Sequence, residues 1–301
     1  MTHTEYHQDN NKPINDIFFK DHTADGKGWP KISIVTPSLN QGKYIEATIR
    51  SVLDQNYPNL EYIIIDGGST DETLDIISRY QDKISVFVCE KDNGQSDAIN
   101  KGFKKASGDI IGWLNSDDIY LPNTLFLIGT LFKKFPGSDW IVGSSIIMDS
   151  KLEKVKKFHY PKSRTCTWPE FICNKYYGIS LSQPPSFWSS NLIRTIGSLD
   201  TNLHYSFDYD MYCNAAFHGY RPCCMDIPLA AIRHHPETKT SKGFLPFRKE
   251  QLMTVNKYMD RCPDKERYKL IWYRRYLMSR IIKLRIAGYA RKYGILSSKK
   301  S

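Results

Sequence analysis

The sequence predicts an α/β fold, a mostly parallel, doubly wound sheet with a helical C-terminal tail, on three observations. Between residues 31 and 114, apolar runs of strand length alternate four times with segments of helical period. Acidic and polar clusters sit where those runs end, and an apolar stripe at helical spacing runs through the last forty or so residues. In such a sheet the crossover helices cover both faces and ligands gather at the carboxyl ends of the strands. Over the 301 residues, 41% are hydrophobic and 25% charged, which supplies a real core and excludes a largely disordered chain. No apolar run approaches the ~20 residues of a spanning helix, and the polar start, Met1 to Asn11, has no secretory apolar core. The expectation is a chain that stays in the cytoplasm.

The first thirty residues lack periodicity and read as a lead-in. Order begins with Lys31-Ile-Ser-Ile-Val-Thr36, a short buried strand stopped by Pro37. A helix is predicted from Tyr44 to about Gln55, with Ile45, Ile49, Val52 and Leu53 on one face. The next strand, Leu60 to Ile65, ends in Asp66-Gly67-Gly68-Ser69. Thr70 then reads as the N-cap of a helix running towards Tyr80, with Asp71 and Glu72 in its first turn. A strand from Ile84 to Cys89, a glycine turn, a helix from Gln95 to Ala106 and a strand from Asp109 to Leu114 complete the alternation.

Beyond Asn115 the pattern loosens. Pro122 to Phe135 reads as a helix with proline in its first turn, and Trp140 to Met148 as a strand. Residues 151–206 mix Pro, Trp and Tyr without a period, which suits a substrate-facing insertion. A helix follows over Asp208 to Phe217, a strand over Cys224 to Ile232, and helices over Phe244 to Met259 and Glu266 to Tyr293. The chain thus divides into a lead-in (1–30), one catalytic domain (31–260) and a basic helical tail (261–301).

The seven cysteines are scattered, without a C-x-x-C pair, and read as reduced thiols. The formal charge of +10 belongs to the tail: residues 261–301 hold 13 Lys and Arg against 2 Asp and Glu, leaving 29 against 30 in the rest. A basic tail on a near-neutral body suits an anchor to phosphates and argues against a nucleic-acid-binding body.

Strand ends carry the candidate chemistry. Asp117 and Asp118 offer hard oxygens of the kind Mg²⁺ or Mn²⁺ needs beside a diphosphate, or else a helix cap ahead of Pro122. Asp66-Gly67-Gly68-Ser69 is either a tight turn or a carboxylate that accepts a nucleobase N–H. Lys91-Asp-Asn-Gly-Gln-Ser-Asp97 is either a strand-to-helix loop or a diphosphate-facing one.

In order along the chain stand Ser33-Ile-Val-Thr-Pro-Ser-Leu-Asn40, Ser51-Val-Leu-Asp-Gln-Asn-Tyr-Pro58, Ile65-Asp-Gly-Gly-Ser-Thr-Asp71, Gly94-Gln-Ser-Asp-Ala-Ile-Asn-Lys-Gly102 and Gly108-Asp-Ile-Ile-Gly-Trp-Leu-Asn-Ser-Asp-Asp118. Together they resemble glycosyltransferase family 2, the inverting transferases of GT-A (Rossmann-like) fold. Gln183-Pro-Pro-Ser-Phe187 and Phe207-Asp-Tyr-Asp-Met211 look like the acceptor half of the bacterial polysaccharide-building members. The resemblance implies a nucleotide-sugar half over 31–120 and an acceptor half over 121–260. Thr36, Pro37, Ser38 and Asn40 match the first nucleotide-binding loop, Asp66 the acid that pairs with the base, and Gln95 and Asp97 the loop under the ribose and diphosphate. Asn115, Ser116 and Asp117 take the place of the family's Asp-x-Asp, with Asp117 as metal ligand, Asp118 beside it and His235 as a further contact to metal or diphosphate. Asp208 matches the general base. Two departures stand out, Asn115 for the first aspartate and Phe207 for the glutamate that usually precedes the base.

The resemblance implies an enzyme that moves a sugar from a nucleoside-diphosphate sugar, with UDP favoured, to a glycan or lipid-linked glycan, using Mn²⁺ or Mg²⁺. Asp208 would take the acceptor's proton in a single inverting displacement. Asp210, two positions on, would point about 200° away on a helix, so only one of the pair can face a substrate. Leu270, Tyr273, Leu277, Ile281 and Leu284 form the tail's apolar stripe, edged by arginines, and are expected either to lie on an anionic membrane surface, on the cytoplasmic face of the inner membrane, or to pack on the domain. Competing classes are a nucleic-acid-binding protein that uses the tail, a nucleotidyltransferase, and a transferase relative that only binds. The loop after the first strand, with one glycine and no basic residue, speaks against the nucleotidyltransferase.

Overall fold

β1 (Ile32–Ser38) is buried along its whole length, and its alternating side chains feed two different cores. Ile32 and Ile34 pack with α1 (Ile45–Leu53) and α2 (Thr73–Ser78) on one face of the sheet, while Val35 packs with α3 (Gln95–Lys105) on the other. The period of two along a strand is what lets one sheet carry helices on both faces. In the computed structural model, which describes residues 28–162, 166–174, 177–239 and 243–292, β1 is flanked by parallel β2 (Leu60–Asp66) and β4 (Ile110–Trp113), with parallel β3 (Val86–Cys89) outside β2. α3 can lie close on the sheet because residue 102 is glycine: a Cβ there would stand 2.3 Å from Val35 Cγ1.

The second half is mixed in direction. β6 (Trp140–Met148), β8 (Ser186–Ser189) and β9 (Cys223–Arg233) continue the sheet in the order β3-β2-β1-β4-β8-β6-β9-β5, where β5 is Ile119–Tyr120 and β7 (Val155–His159) pairs with β6. β8 runs antiparallel to both β4 and β6. The segment 151–206, expected to be an insertion, therefore supplies a central strand. Its residues Ser186-Phe-Trp-Ser189 are too few to show a period, yet Phe187 and Trp188 are fully buried, and the Trp188 ring stacks on Trp113 at 5.1 Å. Helices α4 (Thr124–Lys134), α5 (Trp168–Ile172), α6 (Ser190–Ile196) and α7 (Phe207–Phe217) complete the layers, and α8 (Leu245–Met259) leads to α9 (Asp264–Lys292).

Two local expectations are corrected, and one open alternative is decided. The helix after β2 begins at Thr73, and Thr70 does not cap it: Asp71 Oδ1 accepts from Thr73 N, and Thr70 N donates to Asn40 Oδ1. The helix expected from Pro122 starts at Thr124, behind an Asn123 in left-handed conformation and the two-residue strand β5. Of the two places open to the tail stripe, it takes the domain: Leu270, Tyr273, Leu277 and Ile281 are buried, the first three in a core with Tyr209, Val255 and Tyr258. The lead-in over 1–27 and the chain after 292 lie outside the described residues.

Candidate active site

The carboxyl ends of β1 and β4 open into a cleft of about 960 Å³, closed on the far side by the end of β9 and the loop that follows it. Among the residues expected at a site, Pro37, Ser38, Gln95, Asn115, Ser116, Asp117, Asp118 and His235 line it. The β4 and β9 ends are fastened together at its floor. Arg233 donates its backbone N–H to Asp118 Oδ1 (3.0 Å) and its Nε to the Asp117 carbonyl (2.9 Å), and its guanidinium covers the Tyr44 ring at 4.8 Å.

The two aspartates of that floor differ in what they can do. Asp118 is 4% exposed and has both oxygens engaged, one by Arg233 N and one by Asn115 Nδ2. Burial, and then the charge of Asp117, push its pKa well above the ordinary aspartate value, against the hydrogen bonds from Arg233 and Asn115. Expected beside the metal ligand, it borders the cleft with both oxygens serving the clasp between the ends of β4 and β9. Asp117 is open to the cleft and faces His235 Nε2 across 3.1 Å, with the His235 ring packed on Tyr44. A separation near 3 Å is a hydrogen bond, and it is also the edge that two ligands of one octahedral Mg²⁺ or Mn²⁺ span at ~2.1 Å bond lengths. Among the described residues no three His, Cys, Asp or Glu side chains converge for metal binding. The donors present thus fit a small divalent ion that takes its remaining oxygens from a substrate diphosphate and water, the usual arrangement for Mg²⁺.

Above the floor lies an amide network. Gln95 Nε2 donates to Asn115 Oδ1 (2.7 Å), Asn115 Nδ2 to Gln183 Oε1 (3.2 Å), and Gln183 Nε2 to the Trp113 carbonyl (2.7 Å). Asn115, in place of an acid, can both accept and donate here, which an aspartate could not. Lys239 closes one side of the cleft, with Nζ 2.7 Å from Gln95 Oε1, 2.6 Å from the His204 carbonyl and 5.3 Å from the Phe207 ring centre.

Four expected residues stand outside the cleft lining. Thr36 is buried and pairs with the Tyr62 hydroxyl. Asn40, at φ 52°, accepts from Thr70 N and so ties two strand-end loops together. Asp66 is 0% exposed: Oδ1 accepts from Gly68 N and Ser69 N, and Oδ2 from the Ser69 hydroxyl. Its carboxylate shapes the turn. Asp97 Oδ2 accepts from Asn93 N at the start of α3. Asp92 lines the cleft in Asp66's stead, its carboxylate over Gly67 so closely that a Cβ there would meet Oδ2 at 2.5 Å.

Asp208 does not line the main cleft either. It lies on a separate cavity of about 180 Å³ with Asn174, Tyr209, Tyr212, Phe247 and Gln251. Burial raises its pKa, while Tyr209 N–H and the charge of Lys239 oppose the rise. His204 to Ser206 run between the two openings, and Glu250 of α8 fixes them: Oε1 accepts from His204 N and Oε2 from Tyr205 N and Ser206 N, at 2.9, 2.7 and 2.8 Å. Asp92 and Gln183 stood within segments the sequence singled out, without a role of their own, and Lys239 and Glu250 were missed; both come from segments more than a hundred residues beyond the nucleotide-side strands, whose approach is a tertiary fact.

Residues 33–171 match the family model for glycosyl transferase family 2. Among curated relatives, an uncharacterized glycosyltransferase of Rickettsia typhi is 31% identical over 190 residues, covering 61% of this chain and 58% of its own. The chain therefore spans a little over half the length of that relative. The putative teichuronic acid biosynthesis glycosyltransferase TuaG of Bacillus subtilis is 44% identical over 92 residues, 30% of this chain and 36% of its own. Among solved structures, S. aureus TarS 1-349 superposes with a TM-score of 0.61 at 18% identity, over 81% of this chain and 70% of that one. It has also been solved in complex with UDP and with UDP-GlcNAc. The mannosyltransferase PcManGT of Pyrobaculum calidifontis, solved with GDP-Man and Mn²⁺, gives 0.58 at 17% identity, over 83% of this chain and 73% of its own. These structures share the fold.

Proposed function

We propose that the chain, whose residues 33–171 match the model for glycosyl transferase family 2, is an inverting transferase. It moves a sugar from a nucleoside-diphosphate sugar, with UDP favoured, to a hydroxyl of a glycan or lipid-linked glycan in surface-polysaccharide assembly. The observation that carries this reading is the cleft floor, where the partly exposed Asp117 and the buried His235, 118 residues apart in the chain, meet at 3.1 Å beside the amides of Gln95 and Asn115. The UDP complexes of TarS and the Mn²⁺ complex of the archaeal mannosyltransferase support the donor class and the ion.

In this reading Asp117 and His235 would hold the divalent ion, which would supply Lewis-acid stabilisation of the departing diphosphate. Lys239 adds a fixed positive charge at the cleft wall, worth more there than in water because the site is partly dry. Asp92, Pro37 and Ser38 form the wall against which the nucleoside seats. The acceptor approaches from the smaller cavity, and Asp208 removes its hydroxyl proton as the sugar carbon is attacked. A base raised above the ordinary aspartate value by burial is better matched to a neutral medium. The Glu250-bound segment 204–206 sets how far that base stands from the donor.

Purified protein with Mn²⁺ or Mg²⁺ and a panel of sugar nucleotides tests this by release of nucleoside diphosphate. Release from one donor that collapses in Asp208→Asn supports transfer and identifies the sugar. Nucleotide binding without release under every acceptor tried would favour a protein that only binds, and no binding at all would remove the reading.

A further inference from the structure

With one face of α9 sealed against the domain by Leu270, Tyr273, Leu277 and Ile281, the opposite face carries a second apolar stripe. Tyr268, Trp272, Met278, Ile282, Ile286 and Tyr289 recur at helical spacing and are all exposed, Trp272 to 62% and Ile286 to 63%. At ~100° per residue they fall within one sector, which also holds Arg275 and Ser279 and is bordered by Arg274 and Arg285 on one side and Lys283 on the other. The Arg275 guanidinium lies 5.7 Å from the Trp272 ring centre, a cation over the aromatic face. A helix apolar on two faces with one uncovered is unusual in a water-soluble surface and marks a contact.

We propose that this outer face of α9 docks on an anionic phospholipid surface, lying in the interface with its aromatic and aliphatic side chains among the acyl boundary and its basic flanks among the headgroups. The charge selects that occupant. The last 41 residues hold 13 basic side chains against 2 acidic, so a second copy of the same face would set like charges against each other. A nucleic acid would satisfy the arginines but leave Met278, Ile282 and Ile286 uncovered. Aromatic and aliphatic residues between arginines and lysines match an anionic interface on both counts. No helix among the described residues is long and apolar enough to cross a membrane, so the contact is peripheral. On the inner side of the same helix, the Tyr273 hydroxyl pairs with Asn174 Oδ1 at 3.0 Å, and Asn174 lines the Asp208 cavity. The same helix thus joins the docked surface to the wall of that cavity. The surface does not depend on the transfer reaction, and its test reads binding alone.

The test is co-sedimentation of the full chain with vesicles of phosphatidylcholine, and of phosphatidylcholine with roughly a third phosphatidylglycerol. Binding to the anionic vesicles alone, weakened by salt, is expected. Ile282→Asp with Ile286→Asp should weaken it by about a hundredfold, and Arg274→Glu with Arg285→Glu by more than about tenfold. All four residues are exposed, so thermal melting should match the wild type. Failure to sediment with the anionic vesicles, or equal sedimentation of the Ile282/Ile286 variant, overturns the proposal. So does a concentration-dependent dimer in sedimentation velocity that the same substitutions dissolve.

Discussion

Lys257 Nζ reaches across from α8 to hold Asp210 Oδ2 at 2.8 Å, and in doing so decides between the two carboxylates of α7. Asp210 is 3% exposed and faces α8, whereas Asp208, on the other side of α7, faces a cavity. The two substitutions should therefore separate. Asp208→Asn lowers kcat by about 10²–10⁴ with little change in nucleotide affinity or melting temperature. Asp210→Asn, which breaks a buried ion pair, costs about 1–3 kcal/mol of stability in a denaturant titration and leaves kcat close to wild type.

The raised pKa of Asp208 also predicts a pH profile. As pH falls through that raised value the base takes up a proton, so the wild-type rate should lose activity on its acid side at a pH above the ordinary aspartate range. The acid limb should be absent from the residual rate of Asp208→Asn. Lys239 opposes the rise, so Lys239→Met should move the limb to higher pH.

Glu250 offers three acceptor contacts that a glutamine cannot match, since its amide NH₂ must face at least one of the N–H groups of residues 204–206. Glu250→Gln should cost about 2–3 kcal/mol and depress kcat more than it changes nucleotide affinity. Calorimetric nucleotide binding alongside turnover measures the split.

Asp117→Asn should weaken Mn²⁺-dependent binding of UDP about tenfold or more by isothermal titration and leave melting unchanged. Asp118→Asn should do the reverse in emphasis, because both its oxygens are already engaged by Arg233 N and Asn115 Nδ2. Its main effect should be a lower melting temperature.

Glu61 ties Lys31, Ser33 and Ser107 together beneath β1 and β2. Burial alone would raise its pKa; the hydrogen bonds from Lys31, Ser107 and Ser33 outweigh it and hold the carboxyl at about 2. A lowered folded-state pKa stabilises the fold above the unfolded value and loses that effect as pH falls towards about 2. Stability should drop by roughly 2–3 kcal/mol over that range, and Glu61→Gln should flatten the drop in urea titrations at stepped pH.

The parallel half of the fold was legible because β1 to β4 and their helices announce themselves by period and by glycine-marked turns. β8 was not, since four residues between prolines and polar runs have no period to read, and only the stacked Trp113 and Trp188 reveal its place. At the site, the strand-end rule correctly gathered Ser38, Gln95, Asn115 and Asp117, because topology alone brings those ends together. It did not place Asp66, whose carboxylate turns inward to serve the N–H groups of residues 68 and 69, a choice set by a few ångströms that residue type does not encode. The tail stripe was read at the right helical period, and which of two apolar faces turned inward depended on the complementary core of α5, α7 and α8.

The wedge of β8 between β4 and β6 has a consequence for anyone who would trim this chain. The stretch that matches the family model ends at residue 171, before β8, α7 and β9. A fragment cut there would leave Ile110 to Gly112 with an open hydrogen-bonding edge and would strip β6 of both β8 and β9. Such bare, apolar edges invite pairing between molecules, so the stretch that matches the family model is shorter than a part whose sheet edges are covered.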